Sequence, residues 1–230
     1  MKFSFQYIIA GFFLAAHFIS WIASIQMTSI ANSIFLESTH PFFGLLLSVL
    51  ILKEFPKLAI IPAFFIALIG MFFIVYNDWN LDNSKTIGNL LAVSSALFLA
   101  LYLLIARFNR NKVDLILYLI YVYGFAALFC AIYIIINNLS FWGYKWNGWL
   151  FMLLLALGPN LIGHSLLNWA SRKIEIYKVN LMLLLEPVLA TLMGIIFILE
   201  YPSSSFYLGA FLIILALLFI TLKERNKSKI

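Results

Sequence analysis

Long apolar runs separated by short polar links dominate the chain. Eight of them are long enough, at about 1.5 Å of helix rise per residue, to cross a hydrocarbon core of about 30 Å. Their spans are 5–26, 29–52, 57–76, 86–107, 114–136, 147–170, 176–199 and 206–222, the first to eighth segments below. The runs are continuous and do not alternate, so helices are expected and the strands of a membrane barrel are not. The longest links, 77–85 and 137–146, hold Asn, Asp, Ser, Gly and aromatic residues suited to turns at the lipid interface. The first segment is too long for a removed signal peptide and lacks its small-residue cleavage pattern, so it reads as a retained span. The expected fold class is an all-α polytopic membrane protein of eight transmembrane helices, with no soluble domain.

Composition agrees with this reading: 64% of the 230 residues are hydrophobic, 10% are charged and the mean hydropathy is +1.03. Basic residues decide the orientation. The N-terminus, the even-numbered links and the C-terminus hold 13 of the 15 Lys and Arg, and Lys85 and Lys145 are the other two. Such an excess predicts both termini on the cytoplasmic side of the plasma (inner) membrane, with 223–230 as a basic cytoplasmic tail. The net charge of +6 then reflects topology and attraction to the lipid bilayer, not nucleic-acid binding. A single cysteine, Cys130, leaves no intramolecular disulfide, and no metal cluster or cofactor is expected. Neither HExxH, GxSxG nor GxxxxGK[ST] occurs, which argues against an enzyme and against a nucleotide-driven pump.

Sliding the chain along itself reveals a duplication. Pro41, Glu54 and Pro56 fall on Pro187, Glu200 and Pro202 at a displacement of 146, and His17, Ala23 and Ser24 fall on His164, Ala170 and Ser171 at 147. The first three segments thus correspond to the last three. Matching segments lie five apart, an odd number, so each copy crosses the membrane in the sense opposite to its twin. Inverted repeats of this kind recur in secondary transporters, with the substrate site at the repeat interface.

These residues carry a resemblance. The stretches HFISWIASIQMTSIANS, STHPFFGLLLSVLILKEFP and GHSLLNWASRKIEIYKVNLMLLLEPVLATLMGIIFILEYPSSSFYLGA resemble the EamA-type domain of the drug/metabolite transporter superfamily. The resemblance implies two copies of five helices, a central cavity and export or exchange of small metabolites. Here 86–222 matches a whole copy and 1–76 only the last three helices of one. The first two helices are therefore missing, which leaves one cavity wall open. Either the true start lies upstream of Met1, or this is a short form that needs a second copy of the chain or a partner supplying the missing helices.

Polar residues at bilayer depth are the candidate site, because they are costly there unless they serve a function. Asn160, His164 and Asn168 recur every four residues in the sixth segment, and the corresponding face of the first carries His17 and Trp21, with Ser24 beside them. Ser33, Glu37 and His40 share one side of the second segment, where Glu37 and His40 are spaced to exchange a proton. Glu186 occupies the His40 position of the other copy. Pro41 and Pro187 bend their helices at matching depth and are candidate gating elements. Glu54 and Glu200 resemble the family's paired helix-end glutamates and are expected to be structural. Arg107, Arg172, Lys173 and Lys178 are expected to set topology or snorkel. With no Lys or Arg at central depth to clamp a phosphate, a neutral or zwitterionic small molecule such as an amino acid is the expected substrate.

Overall fold

The computed structural model describes residues 4–56, 58–76, 85–199 and 202–225. Its helices are α1 (Phe5–Met27), α2 (Ile30–Glu37), α3 (His40–Leu47), α4 (Ile61–Val75), α5 (Thr86–Phe108), α6 (Leu115–Ile136), α7 (Trp146–Leu155), α8 (His164–Lys173), α9 (Ile176–Leu183), α10 (Glu186–Ile198) and α11 (Ser204–Arg225). No strand occurs among the described residues. Six stretches are long and apolar enough to cross a membrane: Phe5–Met27, Asn32–Leu52, Thr86–Phe108, Leu115–Ile136, Trp146–Lys173 and Ile176–Met193. The third and eighth segments give the shorter apolar helices Ile61–Ile74 and Ser204–Ile220.

Local chemistry sets several helix starts. Ser4, Ser29 and Asp114 cap α1, α2 and α6, each accepting from a backbone N–H of the first turn. The second and seventh segments are each two helices rather than one bent helix. The first break lies at Ser38 and Thr39, whose hydroxyls donate to the carbonyls of Ile34 and Leu36 and so satisfy the end of α2. The other lies at Leu184 and Leu185. Pro41 and Pro187 follow in the first turn of α3 and α10, where a missing N–H costs nothing. The breaks are 146 residues apart, as the prolines are. So are Lys53 and Leu199, both left-handed at φ 56 and 58, which end their helices just before the paired glutamates.

A wide turn marks the sixth segment. Between α7 and α8 the backbone is π-helical over Ala156–Gly163, around Pro159, whose lack of an N–H and whose ring exclude a regular α turn.

Two apolar cores hold the bundle together. In one, α1 lies against α5 and α6 with Leu14, Leu103, Tyr118 and Val122 buried between them. In the other, α4 lies on α11, with Phe64, Met71 and Ile213 buried beside Leu181 and Leu184. Gly70 and Gly209 let these two backbones touch: a Cβ on Gly209 would come within 2.3 Å of the Gly70 carbonyl. Large apolar side chains cover the outside instead of the inside alone, as bilayer contact requires; Ile120, Ile136, Phe151 and Ile162 are all more than 60% exposed or at that value.

Candidate functional site

A buried polar cluster forms where α1, α5 and α8 meet. His17 reaches Ser95 of α5 with Nδ1, at 3.1 Å from the backbone carbonyl and 2.9 Å from the hydroxyl. A carbonyl only accepts, so this nitrogen carries the proton and Nε2 is left as an acceptor. The Ser95 hydroxyl lies 3.2 Å from the His17 carbonyl, to which it donates. The rings of His17 and His164 stand edge to face with centroids 6.1 Å apart, and Phe18 and Tyr102 frame His164 at 5.1 and 5.9 Å. Asn168, fully buried, donates to the hydroxyl of Tyr102 and, at 2.6 Å, to the carbonyl of His164. The Nδ1 of His164 is buried and has no hydrogen-bond partner among the described residues.

A second polar junction joins the two broken helices. Asn180 of α9 donates to the Ile176 carbonyl through Nδ2, which leaves Oδ1 to accept from His40 Nδ1 at 3.0 Å. Gly44 makes this possible, because a Cβ there would lie 2.7 Å from Asn180 Nδ2. His40 is also within electrostatic reach of His17, so the two junctions adjoin. Ser24 of α1 and Ser33 of α2, both buried, share a hydrogen bond of 2.5 Å. Glu37 at the end of α2 and Glu186 at the start of α10 approach closely enough to interact electrostatically.

Several expectations need correction. No hydrogen bond or ion pair joins Glu37 to His40: the helix breaks between them, and the partner of His40 is Asn180. Asn160 does not share the buried face of His164 and Asn168. Asn160 lies within the π turn, where four-residue spacing no longer means one face, and it is exposed while Asn168 is fully buried, although it lines one cavity with His164. Trp21 is half-buried, and its carbonyl, not its ring, touches the site by accepting from Ser24. Pro41 and Pro187 start helices instead of kinking continuous ones.

Glu54 bonds to α5 and not to the next helix start: Arg107 Nη2 lies 2.6 Å and Nε 3.0 Å from one carboxylate oxygen, and Arg110 lies 3.5 Å away. Arg107 is therefore a buried ion-pair member rather than a snorkelling topology signal. Arg172 likewise turns inward, donating to the carbonyls of Asn109, Arg110 and Val113. Glu200 lies outside the described residues.

Ser95, Tyr102 and Asn180 belong to the site although nothing marked them as candidates. Signals existed: Ser95 and Tyr102 are seven residues apart on one helix face, and Asn180 lies 147 residues after Ser33.

One cavity flanks these residues and another lies apart from them. One of about 470 Å³ is lined by Leu14 and Phe18 of α1, by Tyr123, Ala126 and Cys130 of α6, and by Leu157, Asn160, Leu161 and His164. Another of about 560 Å³ lies among the charged links around Arg110, Asp114 and Lys173, away from the histidines. The histidine cluster is the better substrate candidate because its polar groups are buried and convergent, whereas the larger cavity is a hollow between basic loops. Chemically, the cluster offers imidazole nitrogens, a phenol and a carboxamide, with the carboxyl groups of Glu37 and Glu186 on neighbouring helices. Among the described residues no three His, Cys, Asp or Glu side chains are grouped to hold a metal.

Comparison with known proteins agrees with this architecture. No curated protein matches the chain. One solved structure, described only as the crystal structure of a protein, superposes with a TM-score of 0.83 over 96% of this chain and 77% of its own, at 18% identity, so the two share a fold. The family model of EamA-like transporters matches residues 86–222, more than half of the sequence, and the chain belongs to the EamA-like transporter family, a family of membrane transporters and not of enzymes.

Proposed function

We propose that this chain is a secondary transporter that exports or exchanges small neutral or zwitterionic metabolites, such as amino acids, by alternating access between two inverted repeats. The observation that carries the reading is the meeting of twin residues: His17 and His164, equivalent in the duplication, face each other at 6.1 Å. Equivalent residues meet only near a symmetry axis, and in inverted-repeat transporters that axis passes through the substrate site. Matching helix breaks before Pro41 and Pro187 support it, since discontinuous helices bring backbone dipoles to a midplane site. Hydrogen-bonding groups without a Lys or Arg suit a solute of no net charge, and Glu37 with Glu186 suits its amine or a transferable proton.

Purified protein in vesicles, loaded with unlabelled neutral amino acids and assayed for uptake of the labelled ones, tests the proposal. Counterflow that disappears in His17→Ala and His164→Ala supports it; equal uptake in vesicles without protein refutes it for that substrate class. Proton coupling through either carboxylate requires collapse in Glu37→Gln or Glu186→Gln, and full activity in both refutes it.

One observation favours a second reading, a membrane subunit that moves nothing alone. The face of the sixth segment that would complete the cavity is bare, with Leu157, Leu161 and Ile162 between 48% and 60% exposed.

A further inference from the structure

The cavity of about 560 Å³ lies where three membrane-length stretches share an end: Thr86–Phe108 and Trp146–Lys173 finish there and Leu115–Ile136 begins there. Four cations wall it, Arg110, Lys112, Arg172 and Lys173, and Asp114 is the one carboxylate among its lining residues. Asp114 is already engaged. Its carboxylate accepts from the Ile116 N–H at 2.8 Å as the cap of α6, so the helix end offsets part of its charge. The cations are less well matched. No ion pair among the described residues involves Lys112, Arg172 or Lys173, and Arg110 reaches Glu54 only at 3.5 Å, on an oxygen that Arg107 holds at 2.6 Å. Lys112 stands over the Phe108 ring, 5.9 Å from its centroid.

Membrane topology alone asks for positive charge at a helix end, free to reach into water. Arg172 is not free. Its Nη2 donates to the carbonyls of Arg110 at 2.7 Å, of Asn109 at 3.4 Å and of Val113, which ties the 109–113 link to the end of α8 and fixes a guanidinium in the cavity wall. Its buried Nη1 has no hydrogen-bond partner among the described residues. The duplication does not repeat the arrangement, since the positions 147 before Trp169, Arg172 and Lys173 hold Ile22, Ile25 and Gln26. The basic cavity is therefore a feature of one end of the bundle and no part of the paired transport machinery.

We infer that this cavity is a binding site for the phosphate headgroup of one anionic phospholipid, held by Arg110, Lys112, Arg172 and Lys173 at the membrane surface. Basic pockets between spanning helices take such headgroups because several cations converge on one phosphate at the depth where the lipid already carries it. The surroundings select a lipid over a soluble phosphate. Trp169 lines the cavity and is more than half exposed, an amphipathic ring at the level where headgroups meet acyl chains. One and two turns further into the bilayer, the touching helices α6 and α8 turn Ile116, Ile120 and Leu166 outward, each more than half exposed. Acyl chains hanging from a phosphate in the cavity would lie along that apolar surface.

The test titrates the purified full chain in detergent with phosphatidylglycerol, and separately with phosphatidylcholine of the same acyl chains, and counts bound lipids by native mass spectrometry. One phosphatidylglycerol is expected to bind about tenfold more tightly than phosphatidylcholine. Lys112→Gln combined with Lys173→Gln should bring the two lipids near parity. Lys53→Gln combined with Lys223→Gln removes the same charge from other helix ends expected on that side, and should keep the preference. Lys112 and Lys173 are exposed, so their double variant should melt like the parent without added lipid. If it does not, Lys173→Gln alone takes its place and should weaken phosphatidylglycerol severalfold. Equal binding of the two lipids by the parent overturns the inference, and so does a preference lost equally in both double variants, which would mean diffuse surface charge. Glycerol phosphate that binds the parent as tightly as the lipid overturns it too, because the cavity would then serve a soluble phosphate. None of these readouts is a flux, so a chain that moves no solute leaves the lipid site standing, and transport without lipid preference refutes the site alone.

Discussion

His17 and His164 are 147 residues apart in sequence, yet their rings stand edge to face at 6.1 Å with an interplanar angle of 61°. They differ in what holds them: His17 is bonded twice to Ser95, whereas His164 is framed by rings and its Nδ1 has no hydrogen-bond partner among the described residues. That difference orders the consequences of changing each group.

Ser95→Ala removes the hydroxyl but keeps the carbonyl that accepts from His17, so a loss of about 1 kcal/mol is expected. His17→Phe keeps the ring volume but strips the Nδ1 donor from the buried Ser95 carbonyl, at a cost of about 1–3 kcal/mol, while the Ser95 hydroxyl keeps the His17 backbone carbonyl as its acceptor. Thermal melting in detergent should rank the parent above Ser95→Ala and Ser95→Ala above His17→Phe. The reverse order for the two variants would mean that the bond adds nothing.

Gly44 is the floor beneath Asn180. In Gly44→Ala the new methyl stands 2.7 Å from Asn180 Nδ2, so the carboxamide must move and its bond with His40 must lengthen. Overpacking of this kind costs about 1–3 kcal/mol. Asn180→Ala loses the His40 bond by another route, so the double variant should cost less than the two single changes added together. Additive losses in melting experiments would show that Gly44 acts through some other contact.

Arg107 and Glu54 form an ion pair with side chains 10% and 19% exposed. Removing one partner leaves a largely buried charge, so Glu54→Gln should cost about 3 kcal/mol. Replacing both by Met should cost less than that. Because burial limits screening, the stability lost in Glu54→Gln should change little between low and high salt. A salt-sensitive loss would place the pair at the solvent surface.

Much of the architecture was legible because membrane-spanning helices are written in long apolar runs, and the expected 86–107 forms the helix Thr86–Phe108. Less visible were interruptions that depend on tertiary partners. Ser38 and Thr39 end α2 by bonding carbonyls of their own helix, and nothing in an apolar run announces that. The π turn at Ala156–Gly163 is a second case: Pro159 was visible, but that the backbone widens over eight residues around it and leaves Asn160 exposed was not. Of the site, the histidines stood out as polar groups in apolar surroundings. Their partners Ser95, Tyr102 and Asn180 did not, because a hydrogen bond between residues 66 to 140 positions apart leaves no local pattern.

The helix breaks allow stability and movement to be separated. Both prolines sit in the first turn of their helices, where proline is preorganised and no hydrogen bond is lost, so Pro41→Ala and Pro187→Ala should change stability by less than about 1 kcal/mol. A proline inside a continuous helix would behave differently, since its removal restores a missing bond and straightens the axis. If the junctions at 38–39 and 184–185 are the hinges of alternating access, each substitution should slow flux in vesicles severalfold while the melting temperature stays within a few degrees of the parent. The two changes combined should slow it further, because the hinges lie on different pairs of helices, α2 with α3 and α9 with α10. Flux that is unchanged in the double variant would mean that these junctions hold the helices in place without moving, and the gating motion would then have to be sought at the π turn.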